Sequence, residues 1–168
     1  MRYFPAALAL SLLGAVTASS VYSAPNIPID PRASALLTQG RAALAANNVE
    51  GAVDAFEAAL AIQPGAPVIY LSLAEAARKQ GMQGKALHYY REVLESDPQN
   101  LLAISGEGAA LVEKGAVDKA RRNLARLQGL CGAECDATRQ LAAVIARGPA
   151  PKVITAEAVK PAPVVTPN

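Results

Sequence analysis

Between residues 33 and 147, apolar and polar positions alternate with the period of an α-helix, and short turns break the pattern. The stretches ASALLTQGRAALAAN (33–47) and VEGAVDAFEAALAIQ (49–63) form a first pair of amphipathic segments. Asp30 gives the first segment an N-cap, and Pro31 sits in its first turn. Asn47 and Asn48 end that segment, and Pro64 stops the second. A similar pair fills residues 67–100 around the turn KQGMQG (79–84), and a third fills 101–134 around EKGAVD (113–118). ECDATRQLAAVIARG (134–148) predicts one more helix, with Leu141, Val144 and Ile145 on one face.

The three pairs are copies of one unit. Shifting the chain by 34 residues brings Gly40, Ala74 and Gly108 into register, and likewise Ala52, Ala86 and Ala120. Phe56, Tyr90 and Leu124 align, as do Ala59, Val93 and Leu127, and Pro64 falls on Pro98 with Gly132 in the third copy. Small, bulky and helix-breaking positions thus recur in one order, the mark of a stacked array. The small columns predict that the two helices of a hairpin touch there. Phe56, four residues from Ala52 and three from Ala59, fills the wider space beyond on the same face.

These columns resemble the tetratricopeptide repeat (TPR), which has small residues at positions 8 and 20, a bulky one at 24 and proline at 32. The resemblance covers residues 33–134. Its usual aromatic at position 11 is replaced by Ala43, Ala77 and Leu111, and position 4 holds Leu36, Tyr70 and Ile104. The resemblance implies an all-α, right-handed α-solenoid of three hairpins (33–66, 67–100, 101–134), capped by a helix over 135–147. It also implies a concave groove lined by the first helix of each repeat. The groove positions would be Leu37, Arg41, Leu44, Val68, Leu71, Glu75, Arg78, Lys79, Leu102 and Val112. Arg41 and Arg78 would there meet carboxylates of a bound protein segment. TPR domains that clamp the acidic tails of cytosolic chaperones use Lys, Asn and Arg where this chain has Leu37, Arg41, Ser72, Leu102 and Gly106. The clamp is missing, so that function does not carry over.

The ends differ in kind. Arg2, the apolar run PAALALSLLGAV (5–16) and small residues after it read as a signal peptide over 1–23, followed by a lead-in over 24–31. Cleavage is expected after Ser23, with Ala18 as the alternative. The run is shorter than the roughly 20 apolar residues a membrane span needs, so no stable insertion is expected after cleavage. This makes the chain an exported protein, expected in the periplasm, of the small bacterial type. Residues 148–168 carry five prolines without helical periodicity and read as a disordered tail rich in Pro, Ala and Val. A formal net charge of +2 gives no electrostatic case for nucleic acid.

Little here suggests catalysis. The one histidine, His88, sits among Tyr89 and Tyr90 in what reads as an inter-repeat packing position. Neither HExxH, GxSxG nor a phosphate-cradling glycine loop occurs, so a non-enzyme without cofactors is expected. The two cysteines, Cys131 and Cys135, leave three readings. In an exported protein they form a structural disulfide, since residues four apart on a helix have Cα atoms about 6 Å apart. That staple would pin the cap without touching the groove. The alternative is thiol-redox or copper(I)-carrier work, although no Met or His lies nearby. The functional reading is therefore a scaffold that binds a protein or peptide partner in cell-envelope assembly. A self-associating module, such as a homodimer, is the structural alternative.

Overall fold

The computed structural model describes residues 28–149; the signal-peptide expectation and nearly all of the tail lie outside them. Among the described residues seven helices follow one another: α1 (Pro31–Ala45), α2 (Val49–Ile62), α3 (Pro67–Lys79), α4 (Gln83–Ser96), α5 (Leu101–Glu113), α6 (Val117–Cys131) and α7 (Asp136–Arg147). No strand occurs among the described residues. The fold is an all-α helical-repeat solenoid.

Local chemistry sets the helix ends. Asp30 accepts a hydrogen bond from the Arg32 amide and caps α1, Asn48 caps α2 through the Gly51 amide, and Asn100 caps α5 through the Ala103 amide. Each hairpin turns through a residue with positive φ at the same place in the repeat: Asn47 (59°), Gly81 (74°) and Gly115 (88°). Only glycine and asparagine adopt this conformation at small cost, which explains that column.

Each first helix packs on its own second helix and on the first helix of the next hairpin: α1 on α3, α3 on α5, α5 on α7. The second helices lie farther apart and meet through long side chains, such as Glu57 of α2 and Lys85 of α4. The array therefore bends around its first helices, which form the inner face, and spreads its second helices on the outside. Three apolar clusters lie between: one around Phe56, Ile69 and Leu73, one around Ala86, Tyr90 and Val93, and one around Ile104, Leu127 and Leu141.

The repeat columns are buried, but their contacts differ from the simple hairpin picture. Ala52, Ala86 and Ala120 are fully buried. A Cβ on Gly40 would sit 2.3 Å from the Phe56 ring, so it is Phe56, not Ala52, that requires Gly40. Gly108 makes room for Leu141 of α7 rather than for its own hairpin. Ala74 is buried in the middle cluster. Tyr90 reaches out of its hairpin and lays its ring against Gly106 of α5. Leu124 stays half-buried, because α7 delivers Leu141 to the space that the aromatic fills elsewhere.

Candidate functional site

Among the described residues, the inner face carries an open depression between α3, α5 and α7. This cleft of about 330 Å³ is lined by Leu71, Glu75 and Arg78 of α3, Leu102, Ser105, Gly106 and Ala109 of α5, Gln140 and Val144 of α7, and Tyr90. Residue 106 in its wall has no side chain. The Tyr90 ring occupies the place of the missing Cβ and forms the floor. A second hollow of about 280 Å³ continues it past Glu75, Arg78, Lys79 and Glu113.

Its electrostatics are balanced internally. Arg78 bonds Glu113 across the α3–α5 seam, with Nη2 2.5 Å from Oε1 and Nε 3.2 Å from both carboxylate oxygens. Burial works against the Arg78 charge, but Glu113 and the facing Tyr90 outweigh it, and the guanidinium is held more firmly protonated than usual. Burial pushes the Tyr90 phenol above its ordinary value, and the Arg78 charge offsets part of that rise. Ser105 donates to the Ala137 carbonyl at 3.1 Å, tying α7 to the floor. With Arg78 and Glu113 neutralising each other, exposed Glu75 and Lys79 are the charges free to meet a ligand here.

The expected groove residues divide into three sets. Leu71, Glu75, Arg78 and Leu102 converge on the cleft, and Lys79 stands on its extension. Leu102, 64% exposed, is its apolar lip. Leu37, Leu44 and Val112 are 3%, 8% and 1% exposed, so they belong to the core and are corrected out of the groove. Val68 is half-buried and packs with the first cluster, and Arg41 is exposed on α1 away from the cleft. Arg78 is likewise corrected as a free cation, because Glu113 already holds it. His88 is no packing residue: it lies exposed on α4 with Nδ1 3.6 Å from Glu92.

Sequence reasoning missed Gly106, Tyr90, Gln140 and Val144 as cleft residues. Gly106 carried a readable signal, a glycine on an inner helix one turn from an exposed leucine. The cap helix did not, because repeat columns end before it. Gln140 and Val144 make α7 a wall of the site as well as a cap. Cys131 and Cys135, at the α6–α7 corner, have Cα atoms 5.7 Å apart and their sulfurs within bonding reach. Thr138 donates to the Gly132 carbonyl at 2.9 Å and closes the same corner.

A stack of helix hairpins with a lined inner cleft defines a helical-repeat interaction protein. The tetratricopeptide repeat family model matches residues 6–67 and 37–100, and the chain belongs to that family. No curated protein sequence matches it. Among solved structures it is similar to the Sgt2 TPR domain from Aspergillus fumigatus, at 24% identity and TM-score 0.62, over 80% of this chain and 93% of that one. It is also similar to the first TPR of Spaghetti (RPAP3) bound to an HSP90 peptide, SRMEEVD, at 19% identity and TM-score 0.61, over 69% of this chain and 92% of that one. The first TPR domain of human RPAP3 matches at 18% identity and TM-score 0.60, over 69% of this chain and 94% of that one. These likenesses concern the fold.

Proposed function

We propose that this chain is an exported, periplasmic TPR scaffold of the cell envelope that holds a segment of a partner protein in the α3–α5–α7 cleft. TPR domains are generally interaction modules without catalytic activity, and the Spaghetti domain was solved with a peptide. The observation that carries the reading is the cleft itself, with the apolar lip Leu102, the apolar walls Leu71 and Val144, and a Tyr90 floor. The positive N-terminus followed by an apolar run supports export. Export in turn supports a closed Cys131–Cys135 disulfide, which fits the observed Cα separation of 5.7 Å.

The chemistry of the cleft argues against an acidic C-terminal tail as the ligand. Of the five positions that would hold such a tail, Leu37 is core, Ser72 is buried and bonds its own helix at Val68, Gly106 has no side chain and Leu102 is apolar. Only Arg41 is basic. An apolar segment with a basic residue near Glu75 suits the site better. Affinity capture from envelope extract should yield a stoichiometric partner, and Leu102→Asp should remove it while leaving the helical signal unchanged. Capture that survives Leu102→Asp combined with Glu75→Lys would place the partner elsewhere.

A further inference from the structure

The outer helices carry a charge gradient that the overall balance hides. Helix α2 holds three acids and no base, α4 two of each, and α6 four bases against one acid. Over the described chain, residues 28–113 hold six Lys and Arg against ten Asp and Glu, and residues 114–147 hold seven against three. The sign reverses within single repeat columns: Asp54, His88 and Arg122 share one position of the 34-residue unit. Glu50 and Lys119 stand within one residue of a common height on their helices, as do Glu57 and Arg126. All six of these charged side chains are exposed.

We propose that the outer face pairs with a second copy of this chain, α2 of one copy lying along α6 of the other. A two-fold axis between the copies pairs the acidic α2 end of each with the basic α6 end of the other. The charges this pairing would bring together are Glu50, Asp54 and Glu57 of one copy and Lys119, Arg122 and Arg126 of the other, which hold the same or adjacent positions of the repeat. An isologous contact must be self-complementary, and a gradient that is acidic at one end, neutral in the middle and basic at the other meets that condition. Competing local pairs are few. Glu57 meets Lys85 at 3.5 Å, Arg126 spends one nitrogen on the Pro98 carbonyl, and Asp118 is taken by Arg121 at 3.0 Å. Glu50, Asp54, Lys119 and Arg122 have no ion-pair partner among the described residues. Exposed pairs are individually weak and salt-screened, so the association is a low-affinity one that strengthens as ionic strength falls. The contact is separate from the inner cleft and leaves it open.

Sedimentation of the purified protein reads this directly. Self-association should tighten at least tenfold between about 300 mM and about 20 mM salt, as the screening length grows. A Glu50→Lys/Asp54→Lys variant and a Lys119→Glu/Arg122→Glu variant should each be monomeric at low salt. Mixed together, they should form a heterodimer, because one now presents net basic and the other net acidic outer ends. These positions are exposed, so circular dichroism of each variant should match the parent. The proposal is overturned by a parent chain that stays monomeric at low salt, or by association indifferent to both variants. A mixture that fails to pair overturns it too. So does a monomer whose α6 charges bind anionic lipid vesicles instead.

Discussion

Glycine has opposite meanings at two places in this chain. A Cβ on Gly106 would lie 2.3 Å from the Tyr90 ring, which is buried between α4 and α5. Gly129 in α6 has nothing within 4 Å of that position. Gly129→Ala should stabilise the protein by about 0.5–1 kcal/mol through helix propensity. Gly106→Ala should destabilise it by about 1–3 kcal/mol, overpacking outweighing the same propensity gain. Urea denaturation midpoints of the two variants should move in opposite directions. Gly108→Ala should cost less than Gly106→Ala, since its closest contacts, at 2.6 and 2.7 Å, are methyl groups of Leu141 rather than a ring. Tyr90 also supplies a pH signature. Its phenol ionises at higher pH in the folded chain than the ordinary value of 10.0. A group so shifted contributes stability that is whole below the ordinary value and is lost as pH climbs through the folded one. Denaturation midpoints should therefore fall above about pH 10, and less steeply in Tyr90→Phe. At this scale the sequence revealed that residues 40, 74 and 108 must be small. It did not reveal which ring or methyl demands it, because that depends on how neighbouring hairpins lean together.

The helices of the first hairpin were legible to within about two residues, because caps, prolines and a 34-residue period all act locally. The double duty of α7 was not. As an isolated amphipathic segment it reads only as a cover, and indeed Leu141 is fully buried against α5 and α6. Packing under that cover also swings Gln140 and Val144 into the cleft. An expectation about the cysteines changes as a result. A bond across so short a loop is worth about 2 kcal/mol in the chain-entropy picture, a large part of what holds one terminal helix. Cys131→Ser/Cys135→Ser should speed amide exchange over residues 136–147. It should also weaken partner capture several-fold, because a loosened α7 removes one wall. Exchange that speeds up while capture stays intact would mean that the partner uses only α3 and α5.

Across the whole molecule, contacts run only between neighbours, and two consequences follow. One is that charge can change sign from end to end without any hairpin opposing it, which is why total composition concealed the gradient on α2, α4 and α6. The other concerns how the protein comes apart. The core is three clusters rather than one, linked where Tyr89 touches both the first and second and where Leu94 and Ile145 touch both the second and third. In such an array stability is close to a sum of hairpin and nearest-neighbour terms, so damage should remain local. Phe56 and Leu141 are fully buried in the first and last clusters respectively. Phe56→Ala should cost about 3–5 kcal/mol and Leu141→Ala about 2–5 kcal/mol. If coupling is only between neighbours, Phe56→Ala should raise amide exchange in α1 and α2 and leave α5 and α6 near parental protection. Leu141→Ala should open α5 to α7 and spare α1 and α2. Hydrogen exchange resolved by segment distinguishes this from a single cooperative unit, in which either substitution would raise exchange everywhere by the same free energy. The middle hairpin decides the matter, because it borders both clusters: it should lose part of its protection in each variant and all of it in neither.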